Sequence, residues 1–529
     1  MAANIFGRKD KKAGKRETRF AGTWYESDPK KLGAELQAYL DDADKVIDED
    51  QPGVSDKERE NSALYAIIAP HAGYMFSGST AAVSYEFARK FSPKRIFLMG
   101  PSHYVGFQGV ALSPDSVFET PLGDLTLDRN AIDDLLQYPM FEESREVHQR
   151  EHSLELQLSF IRKAFGEVQL VPLIVGMLPD ASEVRLIGQI IRRYLRDDDL
   201  VVVSSDFTHY GPRYDYVPFK SEDAPEKVKA LDLEAFECLK DADLERFMEF
   251  HDRTQCTICG FYPSAVLLSM LPAGSEGHLL QYRTSRDTAG EDSQNSVSYL
   301  AIAFTGSDGA TSWQPDNSMS KEELLSENDK ANLLKLARAV LEKFVRERKI
   351  LKPEDVGIEV TPAMKRPLGV FVTLFKKDTR PRIGVPERLR KDGTPSERDL
   401  RGCIGYIWPI KPLVEAVIDN VIGSCSKDPR FIEVKTSELA DLELEISVLT
   451  PLRRVDSEQE IEVGKHGVVL YCKGRQSVFL PHVAEEFGWT RDEMLSQLCS
   501  KAGLSSQEWR NGAHYDIFES IMFEEESGS

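Results

Sequence analysis

Three short apolar runs, each ending in a histidine, constrain this chain more than any other feature. Leu64 to Ala69 is uninterrupted and reads as a strand buried on both faces. It stops at Pro70-His71-Ala72-Gly73, and Thr80 to Lys90 follows as a helix with Ala82, Tyr85 and Phe87 on one side. A second run, Arg95 to Gly100, ends in Pro101-Ser102-His103-Tyr104. A third, Leu200 to Ser205, ends in Asp206-Phe207-Thr208-His209. Strand, helix, strand at this length is a βαβ unit, with parallel strands and a right-handed crossover. The C-terminal ends of such strands share one sheet edge, where open α/β sheets bind ligands. His71 and His103 delivered to one edge are the start of a metal site. A single strand-end histidine would read more simply as a turn residue.

The rest of the chain builds on that unit. A basic stretch from Gly7 to Arg16 has no apolar core and reads as a disordered arm over residues 1–18, not a secretory signal. Ser27-Asp28-Pro29 caps a helix whose stripe is Leu32, Leu36, Tyr39 and Leu40. Asp41 to Asn61 is acidic and polar and reads as a loop. Ser113 to Leu127 is hairpin material, and a helix runs from Glu151 to Phe165, with His152 and Glu155 three apart on one face. Further strand and helix patterns make residues 19–305 one α/β domain. Gly306 to Asn317 is Gly, Ser, Asp, Thr and Pro with almost nothing to bury, and opens a linker over 306–327. Residues 328–523 form a second, α+β domain that does not repeat the first.

Composition narrows the function. A net charge of −21 argues against a general nucleic-acid binder. No run approaches the ~20 apolar residues of a membrane span. Seven scattered cysteines fit reduced thiols of a cytoplasmic protein, not a disulfide framework.

The candidates for chemistry in the first domain are His71, His103, Asp206, His209 and Cys259, with His152 and Glu155 behind them as a supporting pocket. Two neutral imidazoles and one anionic side chain, with coordination positions left open, hold iron for oxygen chemistry, and a thiolate in the third place admits copper or zinc. His209 suits a base or hydrogen-bond donor to a substrate, and Asp206 a residue that orients it or a ligand. On spacing alone, Cys259 is equally a buried cysteine at a helix start. With Cys256 it forms a C-x-x-C, a weak redox signal without a second such pair. His148, His251 and His278 have no partner pattern.

Six ordered segments carry a resemblance. They are Ala21-Gly22-Thr23-Trp24-Tyr25, Pro70-His71-Ala72-Gly73-Tyr74, Gly100-Pro101-Ser102-His103, Glu151-His152-Ser153-Leu154-Glu155, Ser204 to His209, and Thr257-Ile258-Cys259-Gly260. Over residues 18–305 the chain resembles the Memo family, itself similar to class III extradiol dioxygenases, which use non-haem Fe(II) held by two histidines and a glutamate. The resemblance implies metal ligands His71, His103 and Cys259, with His209 as the acid/base counterpart; Asp206 joins His209 among the catalytic candidates from the residue reading alone. Cys259 stands where the dioxygenases have glutamate, which bears on whether ring cleavage carries over.

The second domain resembles the AMMECR family through Leu400 to Gly405, Lys427-Asp428-Pro429-Arg430-Phe431 and Leu480 to Ala484 with Trp489. Arg401, Cys403, Lys427, Asp428 and Arg430 line one cleft for an anionic ligand if the fold brings them together. Otherwise Gly402 and Gly405 are turn glycines and Cys403 a core residue. The two families side by side resemble the AmmeMemoRadiSam arrangement. Its radical S-adenosylmethionine component would be a separate protein, because the three-cysteine motif for a 4Fe–4S centre is lacking.

The expectation is therefore an α/β Memo-like, dioxygenase-like domain followed by an α+β AMMECR domain. It would bind one divalent metal, Fe(II) before Cu or Zn, and act on a small-molecule or peptide substrate with a radical S-adenosylmethionine partner. The rival readings are a binding module, such as a phosphotyrosine-peptide pocket, and a metal-handling protein. Neither membrane nor nucleic acid is an expected partner.

Overall fold

The computed structural model describes residues 14–50, 63–289, 294–306, 313, 324–377, 398–455 and 457–525. Two compact units divide the chain, Met1–Pro315 and Asp316–Ser529.

The strands of the first unit are β1 Gly14–Arg16, β2 Leu64–Ala69, β3 Arg95–Pro101, β4 Val110–Leu112, β5 Asp115–Phe118, β6 Leu125–Leu127, β7 Phe141–Glu143, β8 Gln169–Val175, β9 Asp199–Ser204, β10 His209–Tyr210, β11 Ser275–Thr284 and β12 Ser296–Gly306. The main path of the sheet is β1-β5-β6-β8-β3-β9-β2-β12-β10. Its centre, β8-β3-β9-β2, is parallel throughout. Every residue of β2, β3 and β9 is buried, as the apolar runs require of strands covered on both faces. β2 and β3 are not neighbours; β9 lies between them. The register pairs Ala69 with Ser204 and Met99 with Val203, so the three strands end level and deliver His71, His103 and the Ser205–His209 loop to one edge.

Three features depart from the sequence reading. The first helix does not stop at Leu40 but runs Pro29–Asp50, because Ala43 and Ile47 continue the buried stripe of Leu32, Leu36 and Leu40 through acidic sequence. Residues 51–61 of the expected loop lie outside the described residues. The basic arm is shorter than 18 residues: Gly14–Arg16 pair with β5, and Arg16 is buried. Residues 1–13 lie outside the described residues. Within the Gly-Ser-Pro stretch, Trp313 is 1% exposed; its ring meets Tyr65 edge-on at 5.0 Å and its indole N–H donates to the Asp199 carbonyl at 3.5 Å. The remainder of 307–323 lies outside the described residues.

In the second unit, antiparallel strands Arg398–Tyr406, Val370–Lys377, Leu442–Leu449 and Ser520–Glu524 form one sheet in that order. Val370, Val372, Leu374, Leu444, Ile446 and Val448 bury one face with helices Glu327–Glu347 and Leu413–Ser426. A second four-stranded sheet has its own core around Leu470, Leu495 and Trp509. No described helix is long and apolar enough to cross a membrane.

Candidate metal centre

His71 follows β2 by two residues and is 1% exposed. Its Nδ1 lies 2.9 Å from the Ser204 hydroxyl oxygen. That hydroxyl donates to the Ser153 carbonyl at 2.6 Å, and the Gln157 amide donates to it at 2.9 Å. With its only hydrogen committed, Ser204 accepts from His71, which fixes the proton on Nδ1 and leaves the lone pair on Nε2. Nε2 is buried and has no hydrogen-bond partner among the described residues. Burial, and then the charge of His103, hold the ring's pKa well below 6.5, so it stays neutral.

His103 follows β3 and is gripped by Glu151. One carboxylate oxygen lies 2.8 Å from Nδ1, and the other accepts the His103 backbone N–H at 2.7 Å. Glu151 also accepts the Ser153 N–H at 2.9 Å, as N-cap of the helix His152–Phe165. Burial opposes its ionisation, but the bond and charge of His103 outweigh that and hold its pKa down at about 2. Glu151 is not singled out by the sequence alone. Its signal was an acid at the N-cap of a helix whose next residue is a histidine.

His152 is 6% exposed and meets His103 at 4.3 Å, His71 at 5.4 Å and Trp24 at 4.6 Å between ring centroids. Phe20 and Tyr104 stand edge-on to it at 5.8 and 5.7 Å. Burial and the neighbouring imidazoles His71 and His103 take its pKa down to about 2.

The third strand end contributes Asp206 and His209. Asp206 is buried and accepts the His71 backbone N–H at 2.7 Å, so it orients His71's loop, not His209. Its carbonyl accepts the Cys259 N–H at 3.2 Å, which seats the thiol beside it. Burial, then the Asp206 carboxylate, push the Cys259 thiol well above 9. His209 Nδ1 faces the Phe207 carbonyl at 2.9 Å and the Thr257 carbonyl at 3.2 Å, so it carries the proton. The Cys259 sulfur lies 3.7 Å from His209 Nε2.

Two donor groups result. His71, His103 and His152 offer nitrogens within 4.8 Å of one another, and His71, Asp206 and Cys259 do the same. The expected trio His71, His103 and Cys259 is not itself one of these groups; His71 is their common member. His71 is shared and has one free lone pair, so it could serve only one of the two groups at a time.

Glu155 departs from its expected place. It shares a helix with His152 but turns away from the pocket, accepting from the Arg19 and Phe20 N–H groups and the Tyr25 hydroxyl at 2.8, 2.7 and 3.0 Å. Arg16 pairs with it at 2.9 Å, both side chains buried, and also donates to the His148 and Glu151 carbonyls at 2.8 Å. This clasp lays residues 16–25 along the site and brings Phe20 and Trp24 onto His152. The two cysteines of the C-x-x-C also part: Cys256 faces His251 Nδ1 at 3.4 Å, and all seven cysteines are free.

In the second unit, Arg401 is committed to Glu438 through two bonds of 3.0 and 3.1 Å. Asp428 accepts the Cys403 N–H at 2.9 Å, the Arg430 backbone N–H and two bonds from the Arg430 guanidinium, which also donates to the Cys403 carbonyl. Cys403, Asp428 and Arg430 therefore converge. Lys427, the C-cap of helix Leu413–Ser426, is exposed. Arg401 ties its strand to the turn at Thr436–Asp441 instead of presenting a free guanidinium.

Residues 16–303 match the family model of the Memo-like proteins, and residues 334–523 match that of AMMECR1. The chain is 32% identical over 317 residues to Protein memo-1 homolog of Caenorhabditis elegans, covering 57% of this chain and 84% of that one. It is 33% identical over 305 residues to Protein MEMO1 of Rattus norvegicus, covering 55% and 97%. A crystal structure of an uncharacterized protein from Pyrococcus horikoshii shares 35% identity, over 37% of this chain and 90% of that chain, with a TM-score of 0.31.

Proposed function

The chain belongs to the Memo-like protein family, and from that premise we propose that its first unit holds one divalent metal ion on His71, His103 and Cys259 and acts on a substrate bound beside it. The observation that carries this reading is His71 Nε2, a buried lone pair with no donor to accept from among the described residues. Leaving such an atom unsatisfied costs free energy, and a cation there removes the cost. The outer partners fit too: Ser204 and Glu151 occupy the Nδ1 atoms of His71 and His103, the arrangement that turns Nε2 toward a metal.

When bound, the ion would supply Lewis-acid chemistry, and redox chemistry if it is Fe(II), the first choice, or copper; zinc, which a thiolate also admits, would supply the Lewis acid alone. The chain's own residues do the rest. His209 holds its proton on Nδ1 and so keeps Nε2 available to take one from a substrate. Cys259 gives up its thiol proton on coordination, so affinity weakens as pH falls. Phe20, Trp24 and Tyr104 supply an apolar wall beside His152. The reaction class is a dioxygenase-like oxidation of a small molecule or peptide in the cytoplasm. A separate radical S-adenosylmethionine protein is the partner, and the AMMECR domain is accessory.

Oxygen uptake by the Fe(II)-loaded chain with a catechol-like compound tests the enzyme reading; uptake no faster than from Fe(II) alone counts against it. A second reading places the ion on His71, His103 and His152, because those nitrogens converge. It fits a metal-handling protein and leaves Cys259 free.

A further inference from the structure

Helix Ala224–Lys240 lies outside the candidate site, yet it carries a carboxylate, Asp232, that is 0% exposed. A buried carboxylate is costly unless donors surround it. Here they do. One oxygen accepts the Thr208 backbone N–H at 3.2 Å and the Thr208 hydroxyl at 2.6 Å; the other accepts the Tyr282 hydroxyl at 3.0 Å.

The Thr208 N–H belongs to the same planar peptide group as the Phe207 carbonyl, and in a trans peptide the two point opposite ways. That carbonyl faces His209 Nδ1 at 2.9 Å. Asp232 thus grips one end of the peptide group whose other end is the nearer of the two carbonyls that hold the His209 proton, the Thr257 carbonyl standing at 3.2 Å. Burial raises the Asp232 pKa above its ordinary 3.8, while the donors around the carboxylate oppose that rise; in its ionised form, negative charge at the N–H end polarises the group and strengthens its carbonyl as an acceptor. The loop needs no charge merely to stay in place. Phe207 N–H donates to the Ser298 carbonyl, Ser298 N–H to the Thr208 carbonyl, and the His209 N–H to the Thr257 hydroxyl, at 2.9, 3.0 and 2.8 Å.

We propose that Asp232 is a positioning residue that acts on His209 through the Phe207–Thr208 peptide, keeping the imidazole proton on Nδ1 and the lone pair on Nε2. This rests on the reading of His209 as the residue that moves a proton in the pocket. Its test, however, needs neither metal nor turnover, so the two can fail separately.

The metal-free full chain, labelled with 15N-histidine, would be examined by long-range proton–nitrogen correlation at about pH 8.5, above the usual imidazole range. His209→Gln assigns the signal. The wild type should show the Nδ1–H form alone. Asp232→Asn keeps the shape and removes the charge, and should raise the Nε2–H form on the order of tenfold, because a charge-assisted acceptor has become a neutral one. Thr208→Val keeps the N–H and should leave the tautomer as in the wild type. Global destabilisation alone would not move it. If Asp232→Asn fails to fold, Asp232→Ser replaces it with the same readings. An unchanged tautomer in the folded Asp232 variant, or a wild-type His209 protonated on Nε2, overturns the proposal.

Discussion

The Ser204 hydroxyl accepts from His71 Nδ1 at 2.9 Å while its own hydrogen is bound to the Ser153 carbonyl. Ser204→Ala removes that acceptor and frees the ring to turn or change tautomer. Metal affinity should fall about 10- to 100-fold, the usual effect of losing an outer partner, with the fold retained. Titration of the apo chain with Fe(II) or Zn(II) checks this. Unchanged affinity would show that the serine does not orient the ligand.

Arg16 and Glu155 form a buried pair close to the chain's N-terminal end. Arg16→Met leaves Glu155 charged and without its cation, so the first unit should lose about 3–5 kcal/mol. Arg16→Lys should not restore it, since one ammonium cannot replace a planar fork reaching Glu155 and two carbonyls. Denaturant unfolding measures the loss. A change below about 1 kcal/mol, the range of exposed pairs, would contradict the clasp.

Glu438 carries the pH prediction. Its hydrogen bonds from Arg401 hold its pKa at about 2, below its ordinary 4.5. A carboxylate depressed on folding adds stability above its unfolded pKa and loses it as pH falls through the folded one. The stability gap between wild type and Glu438→Gln should be full near neutral pH, shrink below about pH 4.5 and be lost as pH falls through about 2. Arg401→Ala should show the same dependence. A pH-independent gap would mean that the pair contributes no charge interaction.

What the sequence disclosed, and what it hid, follow from where the information lies. The βαβ runs were legible because complete burial leaves an unbroken apolar signature, and His71, His103 and His209 because each closes such a run. The continuation of the first helix was hidden by its acidic exposed side, since Ala43 and Ile47 are sparse markers in charged sequence. Arg16 looked like one more cation of a basic arm; only the fold places Glu155 and two carbonyls around it. Glu151 and Ser204 were missed for a similar reason. A residue that holds a ligand's second nitrogen has no spacing of its own and shows itself only when three strand ends meet. Arg401 erred in the other direction, because an arginine in a motif reads as a ligand binder until its carboxylate partner is in view.

The account turns on which residues hold the ion. Metal content of the chain purified anaerobically, measured beside melting temperature for His71→Ala, His103→Ala, Cys259→Ala, His152→Ala and His209→Ala, decides it most directly. The wild type should carry one ion. The His71, His103 and Cys259 variants should each lose most of it while staying folded, and the His152 and His209 variants should keep it. Loss in His152→Ala with retention in Cys259→Ala would move the ion to the all-imidazole flank. Loss in His209→Ala as complete as in His71→Ala would make the site a closed, four-ligand one and replace the enzyme by a storage protein.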